Sequence, residues 1–210
     1  MNKIKSLQVF YNEKKVGTLA LMKNNIVAFE YDNEWINNGF SISPFSLPLK
    51  KQVFIPKIDP FDGLYGVFSD SLPDGWGRLL VDRMLNSQNI NPREISQIDR
   101  LAIVGETGMG ALSYKPEYNL LEDKDYQEDY DNLALSCKKI LNTEHSADLD
   151  NLFRLGGSSG GARPKILTKI DNEDWIIKFP SSLDDNNIGE LEYLYSVCAK
   201  KCKIDIPETK

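Results

Sequence analysis

Residues 153–170 read FRLGGSSGGARPKILTKI. Within them, Gly156-Gly157-Ser158-Ser159-Gly160-Gly161 places four glycines and two serines in six positions, and an apolar-alternating run follows at once. Glycine costs conformational entropy on folding. A cluster of it marks a place where the backbone turns sharply or comes close to something. Three uses fit: a tight turn, a linker, or a cradle of backbone N–H groups for phosphate, which no Cβ obstructs.

What lies downstream bears on the choice. KILTKI and DWIIKFP are separated by Asp171-Asn172-Glu173-Asp174, a hairpin signal. Lys178 stands on the second of these strands, on the face of Ile176 and opposite Trp175 and Ile177. It reads as a buried-face lysine, which needs a partner or a solvated pocket. NIGELEYLYSVCAKKC then reads as a helix, with Ile188, Leu191, Tyr195, Cys198 and Cys202 on one apolar stripe. Glu192 sits at the edge of that stripe, within reach of Lys178. Glycine loop, strand lysine and helix glutamate, in this order, are the parts with which the small lobe of a protein kinase holds nucleotide phosphates. Each part also has an ordinary reading, as a turn, a snorkelling lysine and a solvated helix charge. The loop is not a Walker A motif, because no Gly-Lys-Ser/Thr closes it, and it departs from the kinase spacing G-x-G-x-x-G.

Upstream, the first third reads as β. LQVFYN and VGTLALM flank the polar tetrad Asn12-Glu13-Lys14-Lys15, and IVAFEY supplies a third strand. Residues 39–60 carry four prolines and suit extended segments and loops. Helices follow. SLPDGWGRLLVDRMLNSQ offers Asp74 as a cap before Trp76, Leu79, Leu80 and Met84 at helical spacing. In NPREISQIDRLAIVG, Asn91, Pro92 and Glu94 form a capping-box pattern, with Ile95, Ile98, Leu101 and Ala102 as the apolar face. The glycines of VGETGMGALSY (Gly105, Gly108, Gly110) read as a structural turn, since no lysine follows within the loop. The acidic run LEDKDYQEDYDNLA marks a connector, and a helix is expected from Tyr130 to Leu141. The expected fold class is α+β. A β-rich N-terminal subdomain with helices (1–125) precedes a kinase-like small lobe (126–210).

Composition excludes several classes. The chain has 210 residues, 41% hydrophobic and 27% charged, within the range of a globular protein. No apolar run is long enough to span a membrane, and the N-terminus lacks a signal-peptide core. The three cysteines, Cys137, Cys198 and Cys202, suit free thiols in a reducing cytoplasm. Cys198 and Cys202 share a helix face and are read as core packing in preference to a metal pair. Net charge of -6 opposes wholesale phosphate-backbone binding, so no direct nucleic-acid contact is expected. His145 is the only histidine and reads as solvated, and no Ser-His-Asp or Cys-His hydrolase is legible.

FSDSLPDGWGRLLVDRML (68–85), VGETGMGALSYKP (104–116), GGSSGGARPK (156–165), WIIKFP (175–180) and ELEYLYSVCAKKCKIDIPET (190–209) together resemble the HipA family of bacterial toxin kinases. The resemblance implies a Ser/Thr protein kinase of a toxin–antitoxin system that uses Mg-ATP, acts on a protein substrate and is neutralised by a DNA-binding antitoxin. It implies a phosphate-binding set of Gly156, Gly157, Ser158, Ser159, Gly160, Gly161, Ala162, Arg163 and Lys165, with Lys178 as the ATP-binding lysine and Glu192 as the helix glutamate. Ser158 matches a position where members autophosphorylate. Family members continue for about as long again, and carry their catalytic and metal-binding aspartates there. No catalytic residue and no metal ligand is therefore expected within these 210 residues. Two readings remain: the N-terminal half of such a kinase, or a non-catalytic module that docks on a separate large lobe or on an antitoxin.

Overall fold

The computed structural model describes residues 3–121, 129–185 and 187–210. The chain begins with β1 (Ser6–Tyr11), β2 (Lys14–Leu21) and β3 (Val27–Tyr31), then α1 (Asn33–Asn38) and a short β4 (Val53–Phe54). Next come α2 (Gly66–Ser69), α3 (Gly75–Ser87), α4 (Gln97–Val104) and β5 (Leu112–Lys115). The C-terminal part holds α5 (Tyr130–Leu141), α6 (Leu149–Gly156), β6 (Lys165–Ile170), β7 (Glu173–Lys178) and α7 (Ile188–Lys201). This is the α+β architecture expected.

β4-β3-β2-β1-β5 form one antiparallel sheet, and β6-β7 a separate two-stranded hairpin. The tight turns of both hairpins have the same chemistry. Asn12-Glu13 and Asp171-Asn172 each place two residues at positive φ, the two-residue turn that matches strand twist. The turns are therefore shorter than the polar tetrads in the sequence, whose last two residues are already in strand.

The sheet packs Leu7, Val9, Val16, Leu19 and Phe29 against Ile98, Leu101 and Ala102 of α4. That helix starts later than its sequence pattern suggested. Asn91 caps only a single 3-10 turn, Pro92–Glu94, and Ile95 is extended. The working cap is Ser96, which forms a reciprocal capping box with Asp99. Asp99 is buried, and its carboxylate also accepts from the Ile4 N–H at 3.0 Å, which tethers the segment just before β1 to the helix. A buried carboxylate with these donors is satisfied, so this cap prevails over the upstream one.

α3 joins the two ends of the molecule. Trp76 and Leu80 are buried with Leu133, Cys137 and Ile140 of α5, Leu152 of α6, Ile166 of β6 and Phe179. Val81, Met84 and Leu85, on an adjoining face, pack with Ile103 of α4 and Leu120. Most of the acidic connector, residues 122–128, lies outside the described residues. α5 spans the expected range, and Asp129 caps it by accepting from the Asp131 and Asn132 N–H groups. His145 is exposed. Gly105 ends α4 at φ 52, so the second glycine cluster is the turn into β5.

The stripe expected on α7 is not a core face. None of its residues is buried, and Leu191, Tyr195, Cys198 and Cys202 are exposed. The two cysteines are therefore not core residues. Only Cys137 is, and burial pushes its thiol pKa up to about 12.

The contact between α3 and the glycine loop has no room for extra atoms. A Cβ on Gly77 would lie 2.3 Å from the Ser159 carbonyl oxygen, a backbone atom that cannot swing aside. On Gly110 it would meet nothing within 4 Å. Gly77→Ala is expected to cost about 1–3 kcal/mol, read as a lowered thermal midpoint. Gly110→Ala should stay within about 0.5 kcal/mol of the parent.

Candidate functional site

The glycine loop leaves the end of α6 and enters β6. Gly156 is the last residue of α6, and Gly157 follows as its C-cap. Ser159 is fully buried, and its hydroxyl donates to the Gly156 carbonyl at 2.6 Å. That bond closes the base of the loop. Gly160, Gly161 and Ala162 are exposed at its tip, and among the described residues the N–H groups of Gly160 and Ala162 carry no hydrogen bond. Ser158 is half-buried and lines a separate cavity of about 220 Å³, together with Gly157, Arg154, Phe153 and Val104.

Lys165 and Lys178 are direct cross-strand partners on β6 and β7. The side chains of such a pair share a face. Lys165 Nζ donates to the Gly160 carbonyl at 2.6 Å and the Arg163 carbonyl at 2.8 Å. Desolvation, with the neighbouring Lys178 charge adding to it, lowers its pKa, and Asp74 opposes the shift. Lys178 is not buried. Its side chain is 54% exposed, and Nζ meets Glu192 Oε2 at 2.8 Å. The buried face of β7 is the other one, where Ile177 packs on the core.

Arg163 completes the cluster. Its Nη1 reaches Glu192 Oε1 and its Nη2 reaches Asp184 Oδ1, both at 2.8 Å. Glu192 is thus held by two cations, and the hydrogen bond from Lys178 leads in depressing its pKa. The Asp184 pKa is also lowered, chiefly by the Ser181 N–H on its carboxylate. The strand lysine and helix glutamate are brought together as their order suggested.

Two contributors were not read from the sequence as site residues. Asp184 stood out only as one charge in a polar loop, yet it pins Arg163. Asp74 stands at the N-cap position of α3 but gives that helix no side-chain hydrogen bond, and accepts instead from the Gly161 N–H. The signal for it was present in Asp74-Gly75-Trp76-Gly77, where two glycines bracket a buried tryptophan. Such a pattern marks close backbone approach.

Two lysines, exposed glycine N–H groups and the start of α3 suit a polyphosphate anion. Glu192 and Asp184 are already paired with cations. The described residues include no group of three or more His, Cys, Asp or Glu side chains that could hold a metal ion. No helix among them is long and apolar enough to cross a membrane.

Residues 7–115 match the family profile described as HipA N-terminal domain. The chain belongs to the HipA family. A solved structure from Shewanella oneidensis MR-1, the toxin–antitoxin complex of HipA, HipB and operator DNA, contains a chain of similar fold. The two share 18% identity with a TM-score of 0.54, over 92% of this chain and 44% of that one. The present chain thus spans less than half the length of that HipA relative. A search of curated proteins returned no match.

The Glu192 interaction has a definite pH dependence. Its folded-state pKa is depressed, so the stabilisation is present above the ordinary carboxylate range and is lost as pH falls through the folded value. Glu192→Gln should lower stability at pH 7 by less than about 1 kcal/mol, because the pair is partly exposed. Chemical denaturation at a series of pH values should show the gap closing as the solution becomes acidic.

Proposed function

We propose that this HipA-family chain supplies the phosphate-binding half of an ATP site in a toxin Ser/Thr protein kinase. The observation that carries the reading is the Lys178–Glu192 ion pair at 2.8 Å, set beside Lys165 and the exposed tip of the glycine loop. Glu192 fixes where the Lys178 ammonium stands, and Lys165 directly opposite adds a second cation. Bound Mg-ATP would supply the γ-phosphoryl group for transfer to a protein hydroxyl. The task of this chain is to place and neutralise the phosphates, and such positioning is most of what catalyses phosphoryl transfer. The aspartates that orient the acceptor and hold magnesium would come from outside these residues. Ser158 is the proposed autophosphorylation position. A phosphate there would add about -1.5 to -2 charge beside the loop and favour its expulsion.

A second reading rests on α7. It has no buried residue and exposes Leu191, Tyr193, Leu194 and Tyr195, with Leu183 95% exposed nearby in sequence. A surface of that kind suits a protein partner, either a kinase large lobe or an antitoxin of HipB type. In this reading the chain docks without chemistry of its own. A cytoplasmic site of action accords with the free thiols of Cys137, Cys198 and Cys202.

ATP binding separates the two readings. The kinase reading predicts that Mg-ATP binds, and that Lys178→Ala weakens binding by about 1–3 kcal/mol, the scale of a lost charge-assisted hydrogen bond. Unchanged affinity in that variant, measured by calorimetry, would remove Lys178 from the site. The purified chain alone should transfer no labelled phosphate to itself or to any protein. Addition of the C-terminal half of a HipA kinase, in cis or in trans, should restore Lys178-dependent labelling.

A further inference from the structure

The glycine loop already holds an anion of the protein's own. Asp74 Oδ1 accepts from the Gly161 N–H. In return the Trp76 N–H, in the first turn of α3, donates to the Gly161 carbonyl at 2.9 Å. One residue of the loop, Gly161, thus exchanges two hydrogen bonds with the start of α3, far away in the sequence. The approach is so close that a Cβ on Gly75, itself at φ +42, would lie 2.5 Å from the Gly161 oxygen. Three sources of positive potential converge on the Asp74 carboxylate: the first turn of α3, the Gly161 N–H, and the Lys165 ammonium, which the Asp74 charge favours. A place of that kind binds phosphate when nothing else occupies it.

We propose that Asp74 is a built-in competitor for polyphosphate at the glycine loop, so that nucleotide binding and the Gly161–α3 contact exclude one another. The inference rests on the reading of the loop as a phosphate cradle. Phosphates arriving at the tip, Gly160 to Ala162, repel the carboxylate and free Gly161 from α3. Loop occupancy is thereby passed to a helix whose Trp76 and Leu80 lie in one core and whose Val81 and Met84 lie in another. The contact is reversible in charge terms, because Asp74 is exposed and can turn to water.

The test uses the full chain, with Mg-ATP titrated calorimetrically into the parent and Asp74→Asn, and backbone amide exchange read at Gly161 and Trp76. Asparagine keeps an acceptor oxygen and removes the charge, and a thermal melt checks that the variant is folded. Asp74→Asn is expected to bind Mg-ATP about three- to tenfold more tightly, the scale of an exposed charge removed. In the parent, saturating Mg-ATP should speed exchange at both amides. If the parent binds and Asp74→Asn binds equally or more weakly, Asp74 is not a competitor, and the nucleotide reading stands without it. If neither binds, the cradle reading fails and the proposal fails with it.

Discussion

The exchange of hydrogen bonds between Gly161 and the start of α3 is the constraint on which the site depends. It fixes the tip of the glycine loop against a helix whose side chains are shared between two hydrophobic cores. The Trp76 indole adds to it by donating to the Lys165 carbonyl at 3.2 Å, at the first residue of β6. The loop is therefore clamped at both its tip and its exit. That clamp sets the position of Lys165, and through the β6–β7 register it sets the position of Lys178.

A glycine-rich segment gains shape here as well as freedom. Ser159 turns inward and closes the base, and Gly161, at φ +83, lets the tip fold back toward Asp74. The electrostatics follow from the same placement. Cations from two strands share one face of the hairpin, while Glu192 and Asp184 hold the lysine and arginine that would otherwise repel each other. Charges arranged in this way are ordered before any ligand arrives, which lowers the reorganisation that binding requires.

Much of this was legible in the sequence. The strands and hairpins could be read because apolar alternation and Asn/Asp turns are local signals, and the Lys178–Glu192 pairing because strand and helix periods fix relative faces. What escaped depended on distant partners. Asp74 looked like a helix cap because an N-cap aspartate ordinarily is one; its actual acceptor role depends on a glycine far along the chain. The start of α4 was misplaced because two capping patterns overlap, and only the buried contact of Asp99 with Ile4 selects the second. The apolar stripe on α7 was real as a pattern, but periodicity cannot say whether another element covers it, and none of its residues is buried.

The central claim is that the tip of the glycine loop and the two facing lysines form one polyphosphate site. Amide and lysine side-chain chemical shifts, followed by NMR during a titration with Mg-ATP, address it most directly. The account predicts saturable shifts concentrated at Gly160, Gly161, Ala162, Lys165 and Lys178, with Gly110 unmoved. Shifts that are absent from the loop, or that appear only at residues far from both lysines, would contradict it.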